Sequence, residues 1–263
     1  MMELDAAVWR ELGVFLSRLK GLSPCLSRDL GGGRGMCLST GSSSASENWA
    51  FYPSRIEDVA TVEDAMRFFG ERGEPFVWPL YHDDADQADL LRRAGLRLGG
   101  RLLAMGRSVR GGPCPRDDGG ADGPAFHAAR DLDGAARWAA AAWRGFDGEG
   151  ETPASSRDLA MAMAREPGLV METASLRGED AGTFLLDIAP GGDAGAYYVA
   201  VLPAWRRRGV ARAMMARMAR LADERGARRL LLQSTPSGVP FYRSVGFEAS
   251  SEIPLFSTSD DVF

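Results

Sequence analysis

The sequence predicts an α/β protein made of two related halves. Short apolar segments typical of strands alternate with amphipathic segments typical of helices, and hydrophobic residues make up 45% of the 263 positions, which is enough for a sizeable core. A segment rich in glycine and proline at 111–124 separates the two halves. We therefore predict a first domain at 1–110, a linker at 111–124 and a second domain at 125–263.

The first half opens on a helix, because apolar residues recur at intervals of three and four from Leu4 to Leu19. Residues 22–46 are rich in glycine and serine and are predicted as loop, apart from a short strand from Met36 to Leu38. Thr61 is expected to start the second helix, since Thr-Val-Glu-Asp has the pattern of a capping box. The remaining predictions are strands at 48–52, 75–81 and 96–109, and helices at 61–69 and 85–94.

The second half alternates in the same way and also ends on a strand. Its predicted strands lie at 125–129, 169–176, 183–189, 196–202, 229–234 and 247–256, and its shorter helices at 132–143, 155–165 and 239–245. A longer helix begins at Val210, where Val210, Met214, Met218 and Leu221 share one apolar face.

The start of that longer helix has unusual chemistry. A helix N-terminus carries free N–H groups and partial positive charge, and normally follows Ser, Thr, Asp or Asn. Here an apolar run ends at Pro203, and Arg206, Arg207 and Arg208 crowd the positive end. Gly209 keeps the approach to the backbone open. This pattern predicts a cradle for phosphate, because the amides, the helix dipole and the guanidinium groups all favour anionic oxygens.

The two halves repeat one another around this helix. Helices in both halves end in Glu-Arg-Gly, at Gly73 and at Gly226, and each is followed by a strand, a short helix and a closing glycine. Counting back from Glu-Arg-Gly aligns Ile56 with Gly209, and Glu57 and Asp58 follow where the cradle would lie. Acids are ordinary at a helix start, so we predict that the first half is a non-catalytic copy without a phosphate site.

A second motif, Tyr242-x-x-x-Gly246-Phe247, follows the cradle motif Arg206-x-x-Gly209-x-Ala211 at the end of the chain. Together the two motifs resemble the GNAT superfamily of acyl-CoA-dependent N-acetyltransferases over residues 125–256, and the first half is similar only to the later part of that fold. The resemblance implies a mixed, mostly antiparallel twisted sheet flanked by helices, in two tandem copies of which the N-terminal one is degenerate.

The resemblance also implies a donor site. In the family, a splayed strand before the cradle binds pantetheine and the acyl carbonyl, loop amides hold the pyrophosphate, and a tyrosine protonates the departing CoA thiolate. The tyrosine matches Tyr242, whose phenol is protonated at neutral pH. The positions that match the acetyl-CoA site are Val199, Ala200, Val201, Arg206, Arg207, Arg208, Gly209, Val210, Ala211, Arg212 and Thr235.

The general base is the point where the sequence departs from the family, because the flanking strands lack the usual glutamate. Glu172 and Asp187 on neighbouring strands are candidates, as are Asp147, Glu149 and Glu151 in the predicted loop. An amine that is already deprotonated, or a chain of water molecules, is an alternative. No Ser/His/Asp or Cys/His pattern suggests a covalent enzyme intermediate.

The implied function is transfer of an acetyl group from acetyl-CoA directly to a primary amine of a small molecule or peptide. The alternative is a non-catalytic module with an acyl-CoA-binding or regulatory role. Either form is expected as a monomer or homodimer. Trp138 is expected in the core, whereas Phe146 fits either the core or a substrate pocket.

Composition excludes other classes. A net charge of −5 and a pI near 5.2 disfavour nucleic acid as a partner. Three cysteines without CxxC spacing and two histidines predict neither a disulfide framework nor a metal site. The acids after His82 are explained as a helix start. Without a signal peptide or an apolar run of membrane length, we expect a cytoplasmic protein that does not contact a membrane.

Overall fold

The computed structural model describes residues 2–81, 84–110, 123–188, 192–259 and 262. The chain forms two compact units that are discontinuous in sequence. One comprises Met1–Ala104, Gln233–Val239 and Ser250–Phe263, and the other comprises Met105–Leu232 and Pro240–Ala249. The predicted division into contiguous domains stays a prediction, and most of its linker lies outside the described residues.

The helices and strands follow one another in the predicted alternation. The helices are α1 (Met2–Lys20), α2 (Val59–Gly70), α3 (Ala85–Arg93), α4 (Leu132–Gly145), α5 (Ala154–Met163), α6 (Val210–Glu224) and α7 (Val239–Ser244). The strands are β1 (Leu26–Leu30), β2 (Gly35–Ser39), β3 (Trp49–Phe51), β4 (Val77–Pro79), β5 (Arg97–Ser108), β6 (Ala125–Ala128), β7 (Leu169–Leu176), β8 (Glu179–Ile188), β9 (Asp193–Val201), β10 (Arg229–Ser234) and β11 (Glu248–Ser257).

The first unit is built on strands in the order β1-β2-β3-β4-β11. Antiparallel pairing joins β1 to β2 and β2 to β3, whereas β3 and β4 are parallel. The last strand of the chain pairs antiparallel with β4, so that Leu255 lies opposite Pro79. Its core includes a stacked pair of rings, Phe69 and Phe76, with centroids 4.3 Å apart.

Two details of the first unit correct the sequence predictions. Strand β1 lies inside the segment that was predicted as loop, and only Leu30 of this strand is buried. Helix α2 starts two residues before the predicted Thr61, because the Asp58 side chain accepts from the Thr61 amide at 2.9 Å and so serves as the cap. Asp84 caps α3 in the same way, and His82 and Asp83 lie outside the described residues.

The second unit contains strands in the order β10-β9-β8-β7-β6. Strands β6 to β9 are antiparallel, and β9 pairs with β10 in parallel, so the sheet is mixed as predicted. A side chain at Gly182 would meet Met214 of α6, whereas one at Gly145 of α4 would meet Ala200. Because Gly182 pairs with Val201, the neighbour of Ala200, the two helices cover opposite faces of the sheet.

Two further observations concern the described part of the chain as a whole. Cys25 and Cys37 are free thiols, and Cys114 lies outside the described residues. Across the described ranges, every helix is too short or too polar to cross a membrane.

Candidate functional site

Strands β9 and β10 part after a short ladder. In the described residues their pairing runs only from Asp193 opposite Arg229 to Gly195 opposite Leu231. A bidentate ion pair fastens the paired end, since the Arg229 guanidinium donates to the two Asp193 oxygens at 2.9 and 2.8 Å. Beyond Gly195 the described residues of β9 form no further ladder pairs with β10, which leaves the β10-facing edge of β9 unpaired.

A β-bulge accompanies this parting. Thr183 pairs with Ala200 and Leu185 with Tyr197, so a single residue of β8 lies opposite both Tyr198 and Val199 of β9. Tyr198 has a positive φ of 49°, and the Thr183 hydroxyl donates to its carbonyl at 3.1 Å. The bulge re-aims the backbone of Val199, Ala200 and Val201, the segment that sequence analysis assigned to the donor.

The chain then passes through a 3-10 turn, Pro203–Trp205, to the start of α6. Gly209 is the N-cap residue with φ 83°, and no side chain caps the helix. Arg207 also has a positive φ, of 62°. A Cβ built on Gly209 meets nothing within 4 Å. In the described residues the start of α6 therefore has no side-chain acceptor, and the space beside the Gly209 Cα is open, an arrangement that suits an anion.

The Arg206 side chain has a different place from the one predicted for it. Its guanidinium donates to the Val201 carbonyl at 3.1 Å, to the Gly145 carbonyl at 3.3 Å and to the Asp147 carboxylate at 2.8 Å. These bonds tie the end of β9 to the end of α4. The predicted role of Arg206 in the donor site therefore cannot rest on a guanidinium that is free for phosphate.

The neighbouring arginines are less constrained by the protein. The Arg208 guanidinium lies over the Trp205 ring at 5.2 Å from its centroid, and the Arg207 side chain is exposed. Arg212 reaches from α6 to the Ser244 hydroxyl of α7 at 3.5 Å. Cations therefore surround the uncapped start of α6, and Arg212 connects it to the second motif.

Tyr242 lies in α7 within an aromatic cluster. Its ring packs edge-on against Phe241 at 5.2 Å and Phe247 at 5.5 Å between centroids. Burial raises the pKa of Tyr242 to about 12, because the phenolate is poorly solvated there. The phenol is thus protonated at neutral pH, as a proton donor must be, and its residue is partly exposed.

Comparison with known proteins connects this geometry to a family. Residues 166–249 match the family model described as acetyltransferase (GNAT) domain. This segment is similar to the GNAT acetyltransferase domain. It contains the bulge, the cradle and Tyr242, and it supports acyl transfer as the general class of activity. A search of curated proteins finds no match.

Solved structures are similar over nearly the whole chain. A GCN5-related N-acetyltransferase from Kribbella flavida matches over 96% of this chain and 94% of its own, with a TM-score of 0.68 and 16% identity. A GCN5-related N-acetyltransferase from Sphaerobacter thermophilus matches over 87% and 77%, with a TM-score of 0.58 and 17% identity. A tandem GNAT protein from the clavulanic acid biosynthesis pathway matches over 97% and 96%, with a TM-score of 0.60 and 11% identity. These likenesses show the GNAT fold.

The two base candidates within the matched segment have quite different surroundings. Glu172 is 3% exposed, and both of its oxygens accept from the Arg217 guanidinium, at 2.7 and 2.8 Å. Asp187 is completely buried on β8. Glu172 is thus engaged as one half of a buried ion pair, which leaves it poorly placed to take a proton from a substrate.

The remaining candidates fall elsewhere. Asp147 is exposed and bonded to Arg206, and Glu149 and Glu151 are exposed in the same loop. Thr235 belongs to the first unit, where its hydroxyl lies 3.1 Å from that of Ser237. The described residues contain no group of three or more His, Cys, Asp or Glu side chains able to hold a metal ion.

The two aromatic residues singled out by sequence analysis are now separated. Trp138 is 2% exposed and donates to the Phe184 carbonyl at 3.0 Å, which confirms it as a core residue. Phe146 is 59% exposed just after α4, so it is not part of the core. Sequence periodicity could not decide this, because Phe146 lies at the point where the helix ends.

Proposed function

We propose that the protein transfers an acetyl group from acetyl-CoA directly to a primary amine. The observation that carries this proposal is the parting of β9 from β10 after Gly195, which leads straight to the uncapped start of α6. An unbonded strand edge followed by an anion cradle suits a ligand that carries amide groups at one end and phosphates at the other.

The proposed donor contacts use backbone more than side chains. Backbone groups of Val199, Ala200 and Val201 would bind pantetheine and polarise the acyl carbonyl. The amides from Arg207 to Arg212 would hold the pyrophosphate, and the open space at Gly209 fits this role. The Arg206 guanidinium would support the loop instead, since three protein oxygens already accept from it.

In the proposed reaction the thioester C–S bond breaks and a C–N bond forms to the amine. The amine nitrogen loses a proton to water, the CoA thiolate gains one from the Tyr242 phenol, and the phenolate then regains a proton from water. We assign no carboxylate as base. Glu172 is held by Arg217, and a neutral amine or a water chain would meet the need for proton removal.

We further propose that the chain is a tandem protein whose N-terminal copy is degenerate. Asp58 caps α2 with its own side chain, whereas α6 begins at Gly209 without a cap. A carboxylate at that position would occupy the amides that an anion needs and would repel it. The similarity in fold to a tandem GNAT protein over 97% of the chain supports this proposal.

A thiol-release screen tests the activity. Purified protein is given acetyl-CoA and, one at a time, amino sugars, polyamines, amino acids, arylalkylamines and peptides, and free CoA is measured against a control without amine. We expect release with one class and loss of most of the turnover in Tyr242→Phe. Binding of acetyl-CoA by calorimetry, without release over the whole panel, would instead support the regulatory alternative.

A further inference from the structure

Phe146 is a large apolar side chain that is exposed to solvent, although hydrogen bonds restrain the loop that carries it. It is 59% exposed, at the C-terminal end of α4. Exposed apolar residues are common where the chain is mobile or the surface is unspecialised, and a single one needs no explanation. The explanation is needed here because the segment that carries Phe146 is fastened on both sides.

The loop after α4 is restrained by hydrogen bonds that involve Arg206 and Trp143. Arg206, next to Trp205, donates to Gly145 on one side of Phe146 and to Asp147 on the other. The Trp143 indole donates to the Glu149 carbonyl at 3.1 Å, and the Gly148 amide donates to the Trp143 carbonyl at 2.9 Å. Positions on both sides of the phenyl ring are therefore restrained before any ligand arrives.

The two residues that follow Phe146 show how closely this loop is fitted. Asp147 has a positive φ of 60°, a conformation in which Asp is enriched and which commonly ends a helix. A Cβ at Gly148 would overlap the Trp143 ring, so only glycine fits there. Together with the bond from the Gly148 amide to the Trp143 carbonyl, these features form an αL helix end, which fixes the backbone on the C-terminal side of Phe146.

The ring lies beside the bulge of β9. Phe146 and Tyr198 meet edge to face with centroids 6.3 Å apart, and Tyr198 in turn packs on buried Trp138 at 5.1 Å. We call Phe146 and Tyr198 the aromatic wall. Since Tyr198 precedes Val199 directly, the wall lies next to the backbone that we propose to hold the acyl carbonyl.

The loop that carries Phe146 holds two exposed carboxylates, while the nearby arginines Arg206 and Arg144 are paired with Asp147 and Asp180. Glu149 and Glu151 are exposed in the same loop, and in the described part of the chain neither forms an ion pair. Carboxylates beside an aromatic surface raise the local concentration of organic cations over that of neutral or anionic molecules. Aromatic rings also attract an ammonium group directly.

From these contacts we infer that the acceptor is a primary amine with a flat apolar ring near its nitrogen, an arylalkylamine, whose ring packs on Phe146 and Tyr198. This inference rests on the proposed function. The ring would lie on the aromatic wall while the ammonium group approaches under the attraction of the loop carboxylates, and the nitrogen would then lie near the bulge.

The test compares two exposed apolar residues at opposite ends of α4. Phe146→Ser removes the wall, and Leu132→Ser is the matched control, since Leu132 is 54% exposed at the first position of the helix. Each protein, free and saturated with CoA, is titrated by calorimetry with 2-phenylethylamine and with ethanolamine. Thiol release from acetyl-CoA gives KM and kcat for the same amines.

We expect 2-phenylethylamine to bind at least fivefold more tightly than ethanolamine, and Phe146→Ser to weaken it about fivefold while Leu132→Ser does not. The KM for 2-phenylethylamine should rise by the same factor in Phe146→Ser, with kcat and CoA affinity nearly unchanged. Phe146→Leu, which keeps an apolar side chain without the ring, should fall between the two.

Other outcomes separate the inference from the proposed function. Turnover with polar amines and equal affinities in wild type and Phe146→Ser would overturn the inference alone. No CoA binding and no thiol release would overturn the proposed function. Affinity of the free protein for 2-phenylethylamine that depends on Phe146 would still support the aromatic wall as a binding site for the ring. A wild-type dimer that Phe146→Ser converts to monomer, with amine affinity unchanged, would show that a second chain covers the ring and would overturn the inference.

Discussion

Arg206 and Asp147 form an ion pair at 2.8 Å that joins the end of β9 to the loop after α4. The same guanidinium donates to carbonyls of both segments. The proposed donor strand and the loop that carries Phe146 are therefore coupled through one side chain, and this coupling can be tested by removing the charge without removing the loop conformation.

Asp147→Asn should retain the backbone and lose the ion pair, because asparagine also tolerates positive φ. Both side chains are largely exposed, so we expect the free energy of unfolding to fall by less than about 1 kcal/mol. Acetyl-CoA affinity should be unchanged, and the KM for the amine should rise. Equal increases in the donor and acceptor KM values would argue against a loop-specific role.

Gly209→Ala tests the anion cradle, and Gly226→Ala at the other end of α6 is its control. Both glycines have positive φ, 83° and 80°, and a Cβ on either meets nothing within 4 Å. Each substitution should therefore destabilise by a similar amount, about 1 kcal/mol. Only Gly209→Ala should weaken acetyl-CoA binding, by about tenfold, because its methyl group enters the space proposed for phosphate. Calorimetry and thermal unfolding measure both effects, and equal donor affinities would contradict the cradle.

Glu172→Gln distinguishes a structural carboxylate from a base. If the Arg217 pair is structural, Glu172→Gln replaces a bidentate ion pair by a single neutral acceptor, and we expect a loss of about 2 kcal/mol in the free energy of unfolding, discounted for partial exposure of Arg217. The folded enzyme should keep its pH–rate profile. A stable variant whose turnover collapses would instead identify Glu172 as the base. Arg220→Gln, at a surface position of the same helix, should change stability by less than about 0.5 kcal/mol.

Tyr242→Phe should lower kcat and reduce the alkaline sensitivity of the fold. Burial raises the pKa of Tyr242 from 10.0 to about 12, so the unfolded chain ionises this phenol before the folded chain does. Its contribution to stability is therefore complete below pH 10 and is lost as pH rises through 12. Denaturation of wild type and variant at pH 8 and pH 11 measures this, and an identical loss in both would exclude the phenol as its source. Because Tyr242 stays protonated up to pH 10, wild-type kcat should not decrease at any pH under 10 through loss of this proton.

Much of the second unit could be predicted from local pattern. The uncapped helix start at Gly209 could be predicted because the sequence has no Ser, Thr, Asp or Asn at the N-cap position. Strands β7 and β10 also have their predicted bounds. Strand β1 was missed because Leu26-Ser27-Arg28-Asp29-Leu30 contains no β-branched or aromatic residue and buries only Leu30. Its strand character comes from pairing with β2, a contact that propensity does not encode.

The least predictable features are those decided by long-range contacts. The sequence places Arg206 beside the cradle, but its guanidinium donates to acceptors at Gly145 and Asp147, which are far away in the chain. The bulge at Tyr198 depends on the register of β8 against β9. Exposure of Phe146 likewise depends on where α4 ends and on the bonds that hold the next residues.

The discontinuity of the first unit determines when this unit can complete its fold during synthesis. Its strand β4 pairs with Leu255–Ser257, which leave the ribosome after strands β6 to β9 of the second unit. The first unit therefore cannot be completed until β6 to β9 of the second unit have been made, which departs from the usual N-terminal-first course of folding. A product truncated near residue 110 would have β4 without its β11 neighbour, an unpaired edge that invites aggregation, so the first unit cannot be isolated by a single cut.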